Sequence, residues 1–241
     1  MGAKRKAAKQ QNSKGNYNNV VDIKSFQKSK TVNILPRNRN QETYVLSLLD
    51  PSKDIVFGIG PAGTGKTLLA VQVAVKLFKE GTIDKIIVTR PAVSVDEDLG
   101  FLPGTLEEKM APWTRPIFDV LREYFDARQI TGMIEEGIIE IAPLAYMRGR
   151  TFKQSFILAD EMQNATPNQM KMLLTRLGEG SMMAVTGDLN QADRLKDNGL
   201  IDFTKLLESS NQSCLDVVQF EQGDIERHAA VKAVLQVYGD E

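Results

Sequence analysis

Hydrophobic positions in this chain fall into short apolar runs that alternate with longer segments of helical spacing. The short runs are rich in β-branched residues, as buried strands are. They lie at 54–59, 85–89, 137–142, 155–160, 181–186 and 215–220. Helical patterns occupy 66–75, 105–126, 167–177 and 225–237. This alternation predicts an α/β fold in which a mostly parallel sheet is covered by helices on both faces.

A glycine-rich loop separates the first predicted strand from the first predicted helix. Residues 60–67 read Gly-Pro-Ala-Gly-Thr-Gly-Lys-Thr, which is the phosphate-loop pattern in the strand-to-helix context that it requires. Glycines let backbone N–H groups close around phosphate oxygens, and the helix adds the positive end of its dipole. The loop therefore predicts a nucleoside triphosphate site. The residues expected to contact the nucleotide are Gly60, Pro61, Ala62, Gly63, Thr64, Gly65, Lys66, Thr67 and Leu68.

Four side chains give this site its expected chemistry. Lys66 can reach the β and γ phosphates, and the Thr67 hydroxyl is placed to ligate Mg²⁺. Asp160 and Glu161 follow the buried run at 155–160. An aspartate at this point can hold Mg²⁺, while the neighbouring glutamate can polarise the water that attacks the γ phosphate. Surface Asp-Glu pairs are usually inert, but a pair that follows a buried strand downstream of a phosphate loop predicts a hydrolytic site.

A third polar segment, 186–194, follows the predicted strand at 181–186. Ligands in open α/β sheets bind at the carboxyl ends of strands. Either Asp188 or Gln191 is therefore expected to meet the γ phosphate or its water, and Gln191 is suited to sense hydrolysis through a changed hydrogen bond.

Composition limits the remaining classes of protein. The chain has 241 residues, 42% of them hydrophobic and 25% charged, which is ordinary globular composition. It has no apolar run of about 18 residues and no apolar signal core at its amino terminus, so we expect a cytoplasmic protein without membrane contact. One cysteine and one histidine cannot form a structural zinc site, so any metal should be bound by oxygen.

The first 30 residues differ from the rest in charge. They carry eight basic residues and one acid, Asp22, so a local charge of +7 leaves −8 for 31–241 within the total of −1. We expect 1–30 to be a basic arm whose first part is disordered, followed by a single domain over 31–241. The arm is equally consistent with binding nucleic-acid phosphates and with a solvated tail.

Taken together, these motifs resemble a known group of proteins. Segments 60–67, 160–163 and 187–191 are similar, in the same order, to motifs I, II and III of superfamily-one helicases. Further segments narrow the resemblance to the PhoH-like family, the phosphate starvation-inducible ATPases of bacteria and their phages. These segments lie at 88–93, 100–104, 112–113, 147–152 and 226–228, and the match spans roughly 40–238.

The resemblance implies a single RecA-like P-loop NTPase domain that binds and hydrolyses ATP with Mg²⁺. In this pattern Thr67 and Asp160 hold Mg²⁺, Glu161 is the general base and Gln191 is the γ-phosphate sensor. It also implies that Gln41 pairs with adenine, because a side-chain amide can form two hydrogen bonds with the edge of that base. Tyr44 is close enough in sequence to stack on the base. The alternative for Gln41 is an exposed polar residue at a helix start.

We expect one RecA-like domain in this chain, whereas a superfamily-one helicase closes its ATP site between two. An arginine supplied in trans can complete such a site. We therefore expect a homo-oligomer, with a hexameric ring as one form. Arg227 is the leading candidate for the arginine that acts in trans, and Arg148, Arg150 and Arg194 compete with it.

RNA or single-stranded DNA is the expected macromolecular partner. Arg90 lies where helicase-like proteins touch a single strand, while Arg148, Arg150 and Phe152 offer two guanidinium groups and an aromatic ring for stacking. Two functions stay open: an ATPase that acts on nucleic acid, and a nucleotide-dependent switch that binds a partner without translocation. A small-molecule kinase is disfavoured, because Glu161 beside the metal aspartate activates water. Whether the protein unwinds or translocates stays open.

Overall fold

A computed structural model describes residues 31–91, 106–192, 197–226 and 229–238. The strands are β1 (Ile55–Ile59), β2 (Lys85–Arg90), β3 (Ile139–Pro143), β4 (Ser155–Ala159), β5 (Met182–Gly187) and β6 (Leu215–Gln219). The α-helices are α1 (Arg39–Leu49), α2 (Lys66–Glu80), α3 (Leu106–Arg122), α4 (Ala127–Glu135), α5 (Pro167–Leu174), α6 (Gly199–Glu208) and α7 (Ala229–Tyr238). The basic arm lies outside the described residues, so its expected disorder stays a prediction.

The strands form one sheet in the order β3-β2-β4-β5-β1-β6, and every strand pair is parallel. β5 lies between β1 and β4, with Ile59 paired to Gly187 and Ala159 paired to Val185. The carboxyl ends of these three strands therefore meet at one edge of the sheet. Each of these strands continues directly into one of the polar segments that the sequence singled out.

Hydrophobic cores cover both faces of the sheet. On one face, Val56 and Val88 lie in a core with Leu48 of α1 and Val71 of α2. On the other face, Phe57 lies in a second core, which also holds Met170 and Leu173 of α5 and Leu200 of α6. Successive strand residues alternate between the two cores, and burial on both sides explains their continuous apolar runs. The predicted fold class is confirmed: the chain is an α/β protein with the RecA-like P-loop NTPase architecture.

The helices differ from the sequence expectation, which included neither α4 nor α6. The helix expected over 105–126 ends at Arg122, and Asp126 instead caps α4 by accepting the Gln129 N–H in a capping box. Asn198 caps α6 by accepting the N–H groups of Leu200 and Ile201. Within the described ranges, no helix combines the length and apolarity needed to cross a membrane.

Candidate nucleotide site

The phosphate loop turns sharply at Gly60, whose φ is 146°. A Cβ at this position would lie 2.3 Å from the carbonyl oxygen of Phe220, so only glycine fits. Gly65, at φ 84°, forms the N-cap of α2. The amino terminus of α2 therefore opens directly onto the loop, where its unpaired N–H groups and dipole favour an anion.

The Lys66 ammonium lies inside the loop. Its Nζ donates to the carbonyl oxygens of Gly60 at 2.7 Å and Pro61 at 2.6 Å, and to Thr64 Oγ1 at 3.2 Å. Burial lowers the pKa of Lys66, and the nearby carboxylates, Asp188 foremost, oppose that shift. Phosphate oxygens could replace these neutral acceptors and would compensate the buried charge more fully.

Two loop residues that the sequence placed against the nucleotide differ in exposure. Thr64 is fully buried and its Oγ1 donates to the Pro61 carbonyl at 2.9 Å, so it supports the loop from within. Leu68 is 41% exposed at the start of α2. Leu68 is therefore open to contact with a ligand, whereas Thr64 can contribute only through its backbone.

Thr67 and Asp160 meet across the site. The Thr67 hydroxyl donates to Asp160 Oδ1 at 2.7 Å, and the Thr186 hydroxyl donates to the same oxygen at 2.5 Å. The pair supplies the oxygen ligands that Mg²⁺ prefers when phosphates provide the remaining ones. Among the described residues, no group of three or more His, Cys, Asp or Glu side chains is arranged to hold a metal ion. The donor set therefore fits a nucleotide-borne Mg²⁺.

Glu161 occupies an uncommon backbone conformation at the end of β4. Its φ and ψ are 55° and 38°, in the left-handed region that a non-glycine residue adopts at a penalty of about 1–3 kcal/mol. Its Oε2 accepts a hydrogen bond from Gln163 Nε2 at 2.6 Å. The carboxylate is thus held in one place by a neighbouring side chain, as a group that acts on a positioned water should be.

Asp188 and Gln191 have different surroundings. Asp188 is buried, and its Oδ2 accepts from the Ala62 N–H at 2.9 Å while its Oδ1 accepts from the Asn190 N–H at 3.0 Å. Asp188 caps a short 3-10 turn, Leu189–Gln191. Gln191 ends this turn, is exposed and lines the pocket next to the phosphate loop. The sequence left both residues open as γ-phosphate contacts. The geometry assigns Asp188 to bracing the phosphate loop and leaves Gln191 as the candidate sensor.

Gln163 is a site residue to which the sequence assigned no role. It is 1% exposed, it donates to Glu161, and its Oε1 accepts from the Asp188 N–H at 3.1 Å. Asn198 Nδ2 in turn donates to the Gln163 carbonyl at 2.6 Å. Gln163 therefore links the candidate base to the segment that carries Gln191. Its sequence signal was its place in segment 160–163, two residues after Glu161.

The phosphate loop, Glu161 and the segment after β5 line one pocket of about 230 Å³. The structure thereby brings together most of the residues that the sequence assigned to phosphate, metal and water. The lining residues are Ala62, Gly63, Gly65, Lys66, Thr67, Leu68, Glu161, Thr186, Gly187, Asp188 and Gln191.

Tyr44 does not reach the pocket, so its expected stacking on the base is wrong. The residue is 0% exposed, and its ring packs edge-on against Phe220 with centroids 5.6 Å apart. Burial also raises the pKa of its hydroxyl far above the usual range. Gln41 is likewise buried, at 4% exposure, with its amide bonded to the phosphate loop. An accessible amide edge for adenine is therefore not present in this conformation.

The residues expected to contact nucleic acid differ in exposure and in the partners that they already have. Arg150 forms a bidentate ion pair with Glu140, and its guanidinium lies 4.6 Å from the centroid of the Phe152 ring. Phe152 is 4% exposed, so its expected role as a stacking platform for a base is wrong. Arg148 is exposed. Arg90 lies over Trp113 at 5.7 Å, and its buried Nε has no hydrogen-bond partner within the described part of the chain. Arg194 and Arg227 lie outside the described residues.

Comparison with known proteins identifies relatives of this chain. The family model described as "PhoH-like protein" matches residues 33–239. The PhoH-like protein of Bacillus subtilis (strain 168) is 46% identical over 219 residues, which cover 90% of this chain and 67% of that protein. The PhoH-like protein of Mycobacterium tuberculosis (strain ATCC 25618 / H37Rv) is 44% identical over 221 residues, 91% of this chain and 61% of the relative.

Protein PhoH of Escherichia coli (strain K12) is 42% identical over 209 residues, 85% of this chain and 58% of that protein. The chain thus spans roughly three fifths to two thirds of the length of these relatives. The extent of the match confirms the resemblance that the motifs indicated. The chain belongs to the PhoH-like family.

Proposed function

We propose that this protein is a cytoplasmic enzyme that binds ATP with Mg²⁺ and hydrolyses it, and that hydrolysis is coupled to RNA or single-stranded DNA. The observation that carries the proposal is the pocket in which the phosphate loop faces Glu161, Asp188 and Gln191. A loop of this kind alone would support nucleotide binding. A carboxylate fixed opposite the loop adds the means to activate water.

Each residue has a distinct part in the proposed reaction. The backbone N–H groups of the loop and Lys66 bind the phosphates and stabilise the charge that grows on them. Mg²⁺, held by Thr67 and Asp160, would supply further positive charge to the phosphate oxygens. Glu161, oriented by Gln163, accepts a proton from the attacking water. Gln191 at the rim of the pocket reports whether the γ phosphate is present.

Nucleic acid is proposed as the partner on the strength of charge and position. Arg90 ends β2 at the same edge of the sheet as the pocket, and Arg148 is exposed beyond β3. The arm at 1–30 adds a local charge of +7. Such contacts reach phosphates rather than bases, so binding should be weakly sequence-specific and salt-dependent.

The site is also proposed to require a second subunit. A superfamily-one helicase closes its ATP site between two RecA-like domains, whereas the described part of this chain holds one, and Arg227 is the leading candidate for the arginine that a neighbouring subunit supplies. A homo-oligomer, such as a hexameric ring, would let this arginine act in trans and raise the rate by about 10³–10⁵-fold. Oligomeric mass measured alongside the ATPase rate tests this part, and a monomer at full activity would contradict it.

Replacement of the candidate base tests the hydrolytic function. Glu161→Gln should keep ATP affinity, because the amide occupies the same space, while kcat falls about 10²–10⁴-fold with the loss of general-base catalysis. Glu208→Gln, an exposed glutamate at the end of α6, is the matched control and should hydrolyse at the parent rate. A Glu161→Gln enzyme that turns over near the parent rate would remove Glu161 from this role.

The same assay distinguishes an enzyme coupled to nucleic acid from a nucleotide-dependent switch. Single-stranded RNA or DNA should raise the ATPase rate of the parent protein. Binding is followed by fluorescence anisotropy of a labelled strand under the same conditions. A strand that binds without changing the rate would favour the switch.

A further inference from the structure

The side chain of Gln41 lies beneath the phosphate loop. Its Nε2 donates to the Thr64 carbonyl at 3.0 Å, and its Oε1 accepts from the Arg37 N–H at 2.8 Å. A Cβ added at Gly65 would come within 3.1 Å of the same Nε2. The amide is therefore bonded to Thr64 and lies beside Gly65, although Gln41 is far from both in sequence.

This hydrogen bond fixes the orientation of one peptide unit of the loop. In a trans peptide the carbonyl of one residue and the N–H of the next point in opposite directions. Because the Thr64 carbonyl points at Gln41, the Gly65 N–H points away from Gln41, and Gly65 is one of the residues that line the pocket. Without the amide, Thr64 and Gly65 could turn more freely, since glycine accepts many backbone conformations.

We infer that Gln41 is a positioning residue of the phosphate loop, and that its contribution to nucleotide affinity does not depend on the base. This inference rests on the proposed function. It differs from the adenine contact that the family pattern implied. Pairing with adenine needs an accessible donor and acceptor on one amide, whereas Gln41 is 4% exposed and both ends of its amide are bonded within the protein.

Binding of three ligands by the full chain tests this role. ATP, GTP and inorganic tripolyphosphate, which has no base, are titrated calorimetrically at one Mg²⁺ concentration. Gln41→Ala should bind all three about five- to tenfold more weakly, by a common factor, as expected for one lost hydrogen bond that orients a phosphate donor. Gln41→Met, which fills similar volume without hydrogen bonds, should show the same loss and replaces the alanine variant if that variant does not fold.

Ser47→Ala is the matched control. Ser47 lies on the same helix and is also buried, but its hydroxyl donates to Asp216 Oδ2 at 2.5 Å rather than to the loop. This variant should unfold at a lower temperature and keep all three affinities. A merely structural role of Gln41 would give the same result as Ser47→Ala.

Two outcomes would overturn the inference while leaving the proposed function intact. A loss confined to ATP would show that Gln41 reads adenine. Unchanged affinities in both Gln41 variants would show that it only anchors α1. Failure of the parent protein to bind either ATP or tripolyphosphate would instead overturn the proposed function, and this inference with it.

Discussion

The two ends of the sheet are built in different ways. Where β1, β4 and β5 end, polar groups are bonded to one another: Thr67 to Asp160, Asp188 to the loop, and Gln163 to Glu161. At the other end of the sheet, around β2 and β3, the charged groups face an aromatic ring or an acidic partner. Arg90 lies over Trp113, and Arg150 is neutralised by Glu140.

This difference separates a preorganised pocket from a surface that acts through charge. Fixed donors and acceptors in a partly buried site act on a ligand with little rearrangement. An exposed arginine such as Arg148 attracts phosphate groups over a distance that salt shortens. We therefore expect losses at the phosphate end to be large and those at the arginine end to be small and salt-sensitive.

The largest effect is expected from Lys66. Lys66→Met should lower kcat/KM for ATP by about 10²–10³-fold, because the only lysine that lines the described pocket then loses its contact with the phosphates. Lys76→Met is the control on the same helix, since Lys76 pairs with Glu80 at the surface, away from the loop. Steady-state ATPase kinetics measure both variants. Equal kinetics for Lys66→Met and Lys76→Met would show that the pocket at the phosphate loop is not the catalytic site.

An intermediate effect is expected at the arginine end, where two neighbouring arginines should behave differently. Arg148 is exposed and takes part in none of the ion pairs between described residues, whereas Arg150 is already paired. Arg148→Ala should weaken single-stranded RNA binding severalfold and lower the slope of log affinity against log salt by about 1.

Arg150→Ala should leave RNA affinity unchanged and instead reduce thermal stability, because Glu140 loses its partner and Phe152 loses the cation over its ring. Anisotropy titrations at several salt concentrations measure the first variant, and thermal unfolding measures the second. A larger loss of RNA affinity in Arg150→Ala than in Arg148→Ala would reverse the roles assigned to the two residues.

The phosphate end could be predicted because its signals are local. A buried run followed by Gly60, or by Asp160, identifies a strand and the polar residues at its carboxyl end within a few positions. Parallel pairing then brings such ends together without further information. The pocket therefore follows from pattern and topology alone.

The expectations from the sequence that proved wrong concern side chains whose packing partners are distant along the chain. Tyr44 was expected to stack on a base, but Phe220 packs against it; Phe152 was expected to offer a stacking platform, but it is buried in the core that also holds Leu173. Helix α6 was missed for a related reason. It begins with Gly199, where a Cβ would lie 2.5 Å from the Thr166 carbonyl oxygen, so packing requires a residue that usually argues against a helix.

The smallest effect tests whether the Arg150–Glu140 pair is structural. The hydrogen bonds from Arg150 hold the pKa of Glu140 below its usual value. A carboxylate with a lowered folded-state pKa stabilises the protein above its unfolded pKa, and this stability is lost as pH falls through the folded pKa. Glu140→Gln should therefore lower Tm at neutral pH and match the parent protein in acid.

The side chains of the pair are 39% and 29% exposed, so solvent screening limits its contribution to about 1 kcal/mol or less, or roughly 2–4 °C in Tm. Glu80→Gln, which removes the surface pair with Lys76, is the control and should change Tm less at every pH. Thermal unfolding from neutral to acidic pH measures both variants. A Glu140→Gln deficit that stays constant with pH would mean that the charge of Glu140 does not stabilise the fold, and the assignment of Arg150 to a structural ion pair rather than to strand binding would lose its support.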